Sequence, residues 1–314
     1  MGVVYAAYDE ELERRLAVKL LLPGLRSERH SHGEVRLLRE AQALARVSHP
    51  NVVQIHEIGS YGTQVFVAME LVDGVPLSAW RRAQPRSLAE IVAMYLQAGR
   101  GLVAAHSVGI IHRDFKADNV LVGSDGRARV ADFGLARVLS AGPEVTIRAR
   151  PSGERAIART EAGMIMGTPA YMSPEQHRSA AVDERSDQFN YCAALYEAIY
   201  EVRPFAGRTV DELAAQVAAG LVEPPPEPGM APPGLHRALL RGLEPDPAAR
   251  WPSLAALLEQ LERFARASDP ASERQRRGFT GMLVALVTVI AAGQVYGALV
   301  MPTAMTVGLL VAVS

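Results

Sequence analysis

At 314 residues, 49% of them hydrophobic, the chain exceeds the usual size of a single core, so a two-lobed unit or two domains is expected. Its 33 basic and 34 acidic residues leave a formal charge of −1, which argues against a broad positive field and against nucleic acid as a partner. The only cysteine, Cys192, excludes an internal disulfide; it lies in the apolar run QFNYCAALYEAIY, which suits a buried, inert thiol and a reducing cytoplasm.

No basic stretch followed by an apolar run opens the chain, so no cleavable secretory signal is expected. Residues up to about Val72 read as strands around one helix. Leu16 to Leu22 is a β-type run in which Ala17 and Lys19 share a face by the period of two. The helix predicted from about Gly33 to Val47 aligns Leu37, Ala41 and Leu44, and Glu40 falls on the same stripe. An acid on a buried face calls for a cationic partner. Val65 to Met69 reads as a short strand, and Asp73-Gly74 as a break.

Ser87 to Glu90 forms a capping box that opens a helix running to about Ser107. The segment NVLVGSDGRARVAD, Asn119 to Asp132, follows. Two β-type runs flank Asp125-Gly126, the signal of a two-residue hairpin turn, and a hairpin centred there pairs Asn119 with Asp132 at its open end. Directly upstream, IIHRDFKADN brings His112, Arg113, Asp114 and Lys116 to the same mouth. An amide oxygen beside a carboxylate suits a hard divalent cation such as Mg²⁺, while a second carboxylate and a lysine suit base and phosphate roles.

Farther on, Thr209 to Glu212 repeats the capping device before a helix ending at Gly220. Ser253 starts another helix, with Leu254, Leu257, Leu258 and Leu261 at helical spacing. The stretch Pro224 to Pro233 reads as an ordered connector between helices. From Gly278 to Ser314 there is no charged residue or histidine, and Gly281 to Val300 alone makes about 30 Å of helix at about 1.5 Å per residue. We therefore expect a transmembrane helix over 279–301, preceded by a basic juxtamembrane segment, 265–277. Its Arg274, Arg276 and Arg277 would stay on the cytoplasmic side. The apolar tail 302–314 leaves the start of a second span open. Gly293 and Gly297 give a weak GxxxG signal for a homodimer in the membrane.

IHRDFKADN, then Asp132-Phe133-Gly134, then GTPAYMSPEQ stand in the order of the protein kinase signatures. Over nearly all of residues 1–264 the chain resembles the bacterial eukaryotic-like (Hanks-type) serine/threonine protein kinases. The resemblance implies an α+β, two-lobed kinase fold at 1–264, with a small β-rich lobe at 1–72 carrying one main helix and a large helical lobe at 73–264. It implies transfer of the ATP γ-phosphate to Ser/Thr hydroxyls of protein substrates with Mg²⁺ or Mn²⁺; with the apolar helix and its basic flank, we expect the chain at the bacterial inner membrane with the kinase domain facing the cytoplasm.

By that resemblance Asp114 takes or orients the substrate proton, Lys116 steadies the transferring phosphoryl group, and Asn119 and Asp132 hold the metal. Lys19 contacts the α and β phosphates and Glu40 is its helix partner. Gly2 and Val4 belong to the glycine loop. Met69 is the gatekeeper, Glu70 and Val72 offer hinge backbone to adenine, and Val4, Ala17 and Leu121 sandwich the base. Asp187 anchors the catalytic loop, and Glu175 with Arg250 makes the large-lobe ion pair. Leu44, Ile55, His112 and Phe133 form one column. Arg113, Gly134 and Thr168 are structural, Arg113 also offering a partner to a phosphate on the loop before Gly167, where Thr160 is the expected phosphosite.

The chain departs from the pattern at its start. MGVV matches only the last glycine and the valine of GxGxxGxV, which leads us to expect that Met1 is an internal methionine of a longer loop. The incomplete loop favours a second reading, a membrane-tethered pseudokinase acting as a binding scaffold. The intact Lys19, Glu40, Asp114, Asn119 and Asp132 favour catalysis.

Overall fold

The computed structural model describes residues 3–20, 46–61, 64–133 and 168–267. Contacts divide the chain after Phe264, and the architecture below is that of the first unit, Met1–Phe264. The predicted helix at 33–47 lies outside the described residues up to position 45; Arg46 and Val47 already sit in a turn and a loop. The segments 279–301 and 302–314, and most of 265–277, also lie outside them.

Four antiparallel strands, β1 (Val3–Asp9), β2 (Arg14–Leu20), β3 (Ile55–Tyr61) and β4 (Gln64–Glu70), form a sheet in the order β1-β2-β4-β3. Asp9 closes the β1–β2 turn by accepting the Leu12 backbone N–H at 3.1 Å. The pairs Val4↔Lys19 and Ala17↔Met69 put Val4, Ala17, Lys19 and Met69 on one face, because directly opposed residues and every second residue along a strand point the same way.

A smaller sheet, β5 (Gly74–Pro76), β6 (Val120–Gly123) and β7 (Ala128–Val130), follows in that order. The hairpin differs from expectation by one residue. Val120 opposes Val130 and Leu121 opposes Arg129, so Asn119 faces Ala131, whose N–H it accepts at 2.8 Å, and not Asp132. The cause is the turn. Ser124, Asp125 and Gly126 form a three-residue loop closed by Gly123 N–H to Arg127 O at 2.9 Å, and Gly126 takes φ +74°, which glycine adopts without strain.

Helix α1 (Leu77–Ala83) leads to α2 (Leu88–His106), which begins with the predicted capping box: Ser87 accepts from the Glu90 N–H while the Glu90 carboxylate accepts from the Ser87 N–H at 2.8 Å. α2 lies against β7. Gln97 accepts the Ala128 N–H at 3.0 Å, and Gly101 lets the Asn51 carbonyl approach where a Cβ would come within 2.2 Å of it. The same Asn51 segment covers the outer edge of β7, with Val130 N–H to Asn51 O at 2.8 Å and Val53 N–H to Val130 O at 2.9 Å. Among the described residues α2 is the one helix long and apolar enough to cross a membrane. Its buried Leu96, Ala98, Leu102 and Ala105 mark it as a core helix.

The remaining helices are α3 (Pro174–His177), α4 (Glu184–Tyr200), α5 (Val210–Ala219), α6 (Pro233–Gly242) and α7 (Leu254–Ala267). α4 is buried on most sides and is the central rod of the larger lobe, with Phe189, Tyr191, Leu195 and Tyr196 fully buried. Its Cys192 is buried as expected, and burial pushes the thiol well up. At α5 the predicted box is half made. Thr209 caps the Glu212 N–H, but the Glu212 carboxylate accepts from Arg208 N–H at 2.7 Å instead of from Thr209. Ser253 caps α7 through the Ala256 N–H, and Leu254, Leu257, Leu258 and Leu261 are all buried.

Candidate active site

The segment between α2 and β6 turns sharply and is held from below by one carboxylate. Asp187, in the first turn of α4 and fully buried, accepts the His112 N–H at 2.7 Å on one oxygen and the Arg113 N–H at 2.7 Å on the other. His106, at the end of α2, adds a contact at 2.8 Å through Nε2. Arg113 adopts φ +64°, an uncommon conformation for a residue with a side chain. The two anchored N–H groups, and Gln176 donating to the Arg113 carbonyl at 2.7 Å, hold it there.

His112 is buried and neutral, because desolvation lowers its pKa against the pull of Asp187, Asp114 and Asp132. Its Nε2 donates to the Ala131 carbonyl at 2.9 Å and its Nδ1 accepts from the Asp114 N–H at 3.3 Å, a pairing that fixes the tautomer. Its ring packs 4.7 Å from Phe133 and 5.9 Å from Phe115. Of the expected column, His112 and Phe133 touch, Ile55 is buried, and Leu44 lies outside the described residues.

Asp114 is therefore presented by a fixed loop. One carboxylate oxygen lies 3.3 Å from the Asn119 amide nitrogen and 3.6 Å from Lys116 Nζ; the other, Oδ1, is buried without a hydrogen-bond partner among the described residues. Asn119 also donates to the Asp114 carbonyl at 2.8 Å, so its amide oxygen is left as the atom able to meet a ligand. Asp132 follows β7 with φ +55° and forms an ion pair with Lys19 at 2.7 Å, from a strand 113 residues away.

Above this, Ala17 is buried and Met69 half-buried on the sheet face that carries Lys19, while Val4 is 53% exposed. Leu121 and Val72 are half-buried, and Glu70 ends β4 where the chain crosses between the lobes. Glu175 and Arg250 meet in a buried two-pronged pair at 2.8 and 3.0 Å. Burial alone would raise the Glu175 carboxyl, but the Arg250 guanidinium and the Ser186 hydroxyl, at 2.6 Å, hold it down to about 2. Gly2, Glu40, Gly134 and Thr160 lie outside the described residues, as does the side chain of Thr168. Sequence reasoning missed His106 and Gln176. His106 stands in no pattern and Gln176 only closes the run GTPAYMSPEQ, and the fold brings them to Asp187 and Arg113.

The hard oxygen donors Asn119 and Asp132 fit a divalent cation that completes its shell with phosphate oxygens and water, and the buried unpartnered oxygen of Asp114 fits a hydroxyl donor. The chain is 35% identical over 263 residues to serine/threonine-protein kinase PknA of Mycobacterium tuberculosis, 81% of this chain and 56% of that protein. It is 34% identical over 276 residues to serine/threonine-protein kinase Pkn1 of Myxococcus xanthus, 83% of this chain and 36% of that protein. The chain thus spans about half or less of the length of these relatives. Its fold matches Rad53 residues 1–466 in complex with AMP-PNP, with TM-score 0.64, 23% identity and coverage of 82% and 61% of the two chains. The kinase domain of Mycobacterium tuberculosis PknI gives TM-score 0.59, 24% identity and coverage of 84% and 91%. The protein kinase domain model matches residues 1–253, and the chain belongs to the protein kinase family.

Proposed function

We propose that the chain is a serine/threonine protein kinase that moves the γ-phosphate of ATP to Ser/Thr hydroxyls of proteins, including its own Thr160. One observation carries the reading most directly: the buried Asp114 Oδ1, without a hydrogen-bond partner among the described residues, held on a loop that Asp187 pins at two N–H groups. Asp114 accepts or orients the hydroxyl proton, and Lys116 beside it steadies the transferring group. Lys19 turns to the α and β phosphates, and Asn119 and Asp132 hold Mg²⁺. That ion supplies charge neutralisation at the phosphate oxygens. Val4, Ala17, Met69 and Leu121 enclose the base, with hinge backbone at Glu70 and Val72.

The apolar, uncharged 279–301 supports a transmembrane anchor in the bacterial inner membrane, and Arg274, Arg276 and Arg277 support a cytoplasmic kinase domain. Dimerisation through Gly293 and Gly297 is part of the same proposal.

The test is incubation of the full chain with ATP and Mg²⁺, read by intact mass, with Asp114→Asn as the blank. Phosphate on Ser or Thr in the wild type only supports the reading, and mapping it tests Thr160. Equal incorporation in both chains removes Asp114 from the chemistry. None in either favours the scaffold reading.

A further inference from the structure

The four residues Glu70–Asp73 that cross between the lobes are tied to the β6–β7 hairpin at both ends. At the far end the tie is backbone: Asp73 O accepts the Ser124 N–H at 2.7 Å. At the near end it is a single side chain. Arg129, in the middle of β7, places Nε 3.2 Å from the Glu70 carboxylate. Its other two nitrogens grip Asp125 at the hairpin turn, at 3.0 and 2.7 Å. The two-pronged contact fixes the plane of the guanidinium, so the remaining nitrogen sits at ion-pair distance from Glu70 with little freedom left to lose. Only 13% of the Arg129 side chain is exposed, so solvent screens the contact less than it would a surface pair.

The cross-strand partner of Arg129 is Leu121, and opposed residues share a face. The floor expected beneath the base and the side chain that holds the hinge therefore stand side by side. At the open end of the same two strands, beyond the pair Val120↔Val130, lie Asn119 and Asp132.

From this we infer that Arg129 is a positioning residue for the nucleotide: by clamping Glu70 to the hairpin it sets the separation between hinge and floor, and registers the base seat against Asn119 and Asp132. The inference rests on the kinase reading for its ligand, but it concerns binding and is measured without turnover.

The probe is AMP-PNP with Mg²⁺, titrated calorimetrically into the full chain, beside initial rates at varied ATP for Arg129→Met, Arg129→Lys, Glu70→Gln and the double variant Glu70→Gln/Arg129→Met. Loss of the partly buried ion pair to Glu70 predicts that Arg129→Met weakens AMP-PNP binding and raises KM for ATP by roughly tenfold, with kcat changed much less. Arg129→Lys recovers part of the loss, and the double variant binds no worse than Arg129→Met, because both changes remove the same contact. Binding within twofold of wild type in Arg129→Met, or additive losses in the double variant, overturns the proposal. If Arg129→Met melts far below wild type, the near-isosteric Glu70→Gln decides by the same criterion. A wild type that binds AMP-PNP yet transfers no phosphate sinks the catalytic reading alone; one that binds none overturns the positioning role as well.

Discussion

Lys19 Nζ lies 2.7 Å from Asp132 Oδ1, so a strand of the first sheet and the residue that follows β7 are joined by one ion pair. The lysine side chain is 21% exposed and the aspartate 40%, and a pair so placed contributes about 0–1 kcal/mol. By the proposed function the two charges serve ligand binding rather than the fold. Lys19→Met should leave the melting temperature within a few degrees of wild type while phosphate transfer falls on the order of 10²- to 10³-fold. Paired melting curves and initial rates check this. A large drop in melting with near-normal transfer would reverse the assignment.

Asp187 behaves differently because its work is buried. Its two oxygens accept the backbone N–H groups of His112 and Arg113, on the loop that carries Asp114, and a contact from His106. In Asp187→Asn one oxygen becomes an NH₂ group, which cannot accept, so one buried N–H loses its partner at a cost of about 1–3 kcal/mol. The strained Arg113 conformation then loses part of what holds it. We expect a lower melting temperature together with a kcat that falls more than nucleotide affinity, read by thermal melts and by AMP-PNP titration. Equal losses in kcat and affinity would show that the loop is not what Asp187 secures.

Much of this site was legible in the sequence because its chemistry needs adjacent residues. Asp114, Lys116 and Asn119 lie within six positions, and Lys19 and Ala17 follow from the alternation of a strand. The hairpin was readable, but not its register. Asp-Gly signals both two- and three-residue loops, glycine takes positive φ in either, and what distinguishes them is that Asp125 does not take the left-handed conformation a two-residue type I′ turn requires. The clamp from Arg129 to Glu70 and the support from His106 were not readable. They join residues 59 and 81 positions apart through side chains whose spacing follows no period. The cap at Thr209 was half right, since a glutamate at that position can reach either of two N–H groups and here takes the one before the cap.

The buried His112 predicts a pH dependence. Its folded pKa lies below its ordinary 6.5 because burial disfavours the imidazolium, outweighing the attraction of Asp187, Asp114 and Asp132. Below about pH 6.5 the unfolded chain therefore binds a proton that the folded chain refuses, and stability falls as pH falls. His112→Tyr keeps a ring against Phe133 and a hydroxyl able to donate to Ala131 O, and removes the titration. The wild-type melting temperature should decline from about pH 6.5 downward, and the variant should decline less. Some slope will remain in the variant, since burial also lowers His49, His56 and His236. Identical pH profiles would show that His112 does not contribute.

Glu175 and Arg250 form a two-pronged ionic contact buried in the larger lobe, and two kinds of substitution separate attraction from desolvation. Arg250 is fully buried and also donates to the carbonyls of Arg185 and Glu244, at 2.9 and 2.8 Å, so it ties three segments together. Arg250→Met strands a buried carboxylate and should cost about 3–5 kcal/mol. Glu175→Met strands the guanidinium, less severely, because carbonyl acceptors remain. The double variant Glu175→Met/Arg250→Met leaves neither charge, so its loss should be clearly smaller than the sum of the single losses. The carboxyl is held down to about 2 against an ordinary 4.5, so the pair stabilises fully above about pH 4.5, and its contribution fades as pH falls toward 2. Urea melts at pH 7 and pH 4 measure both effects. Additive single losses, or a difference between wild type and double variant that does not shrink at the lower pH, would show that the pair does not act as a unit.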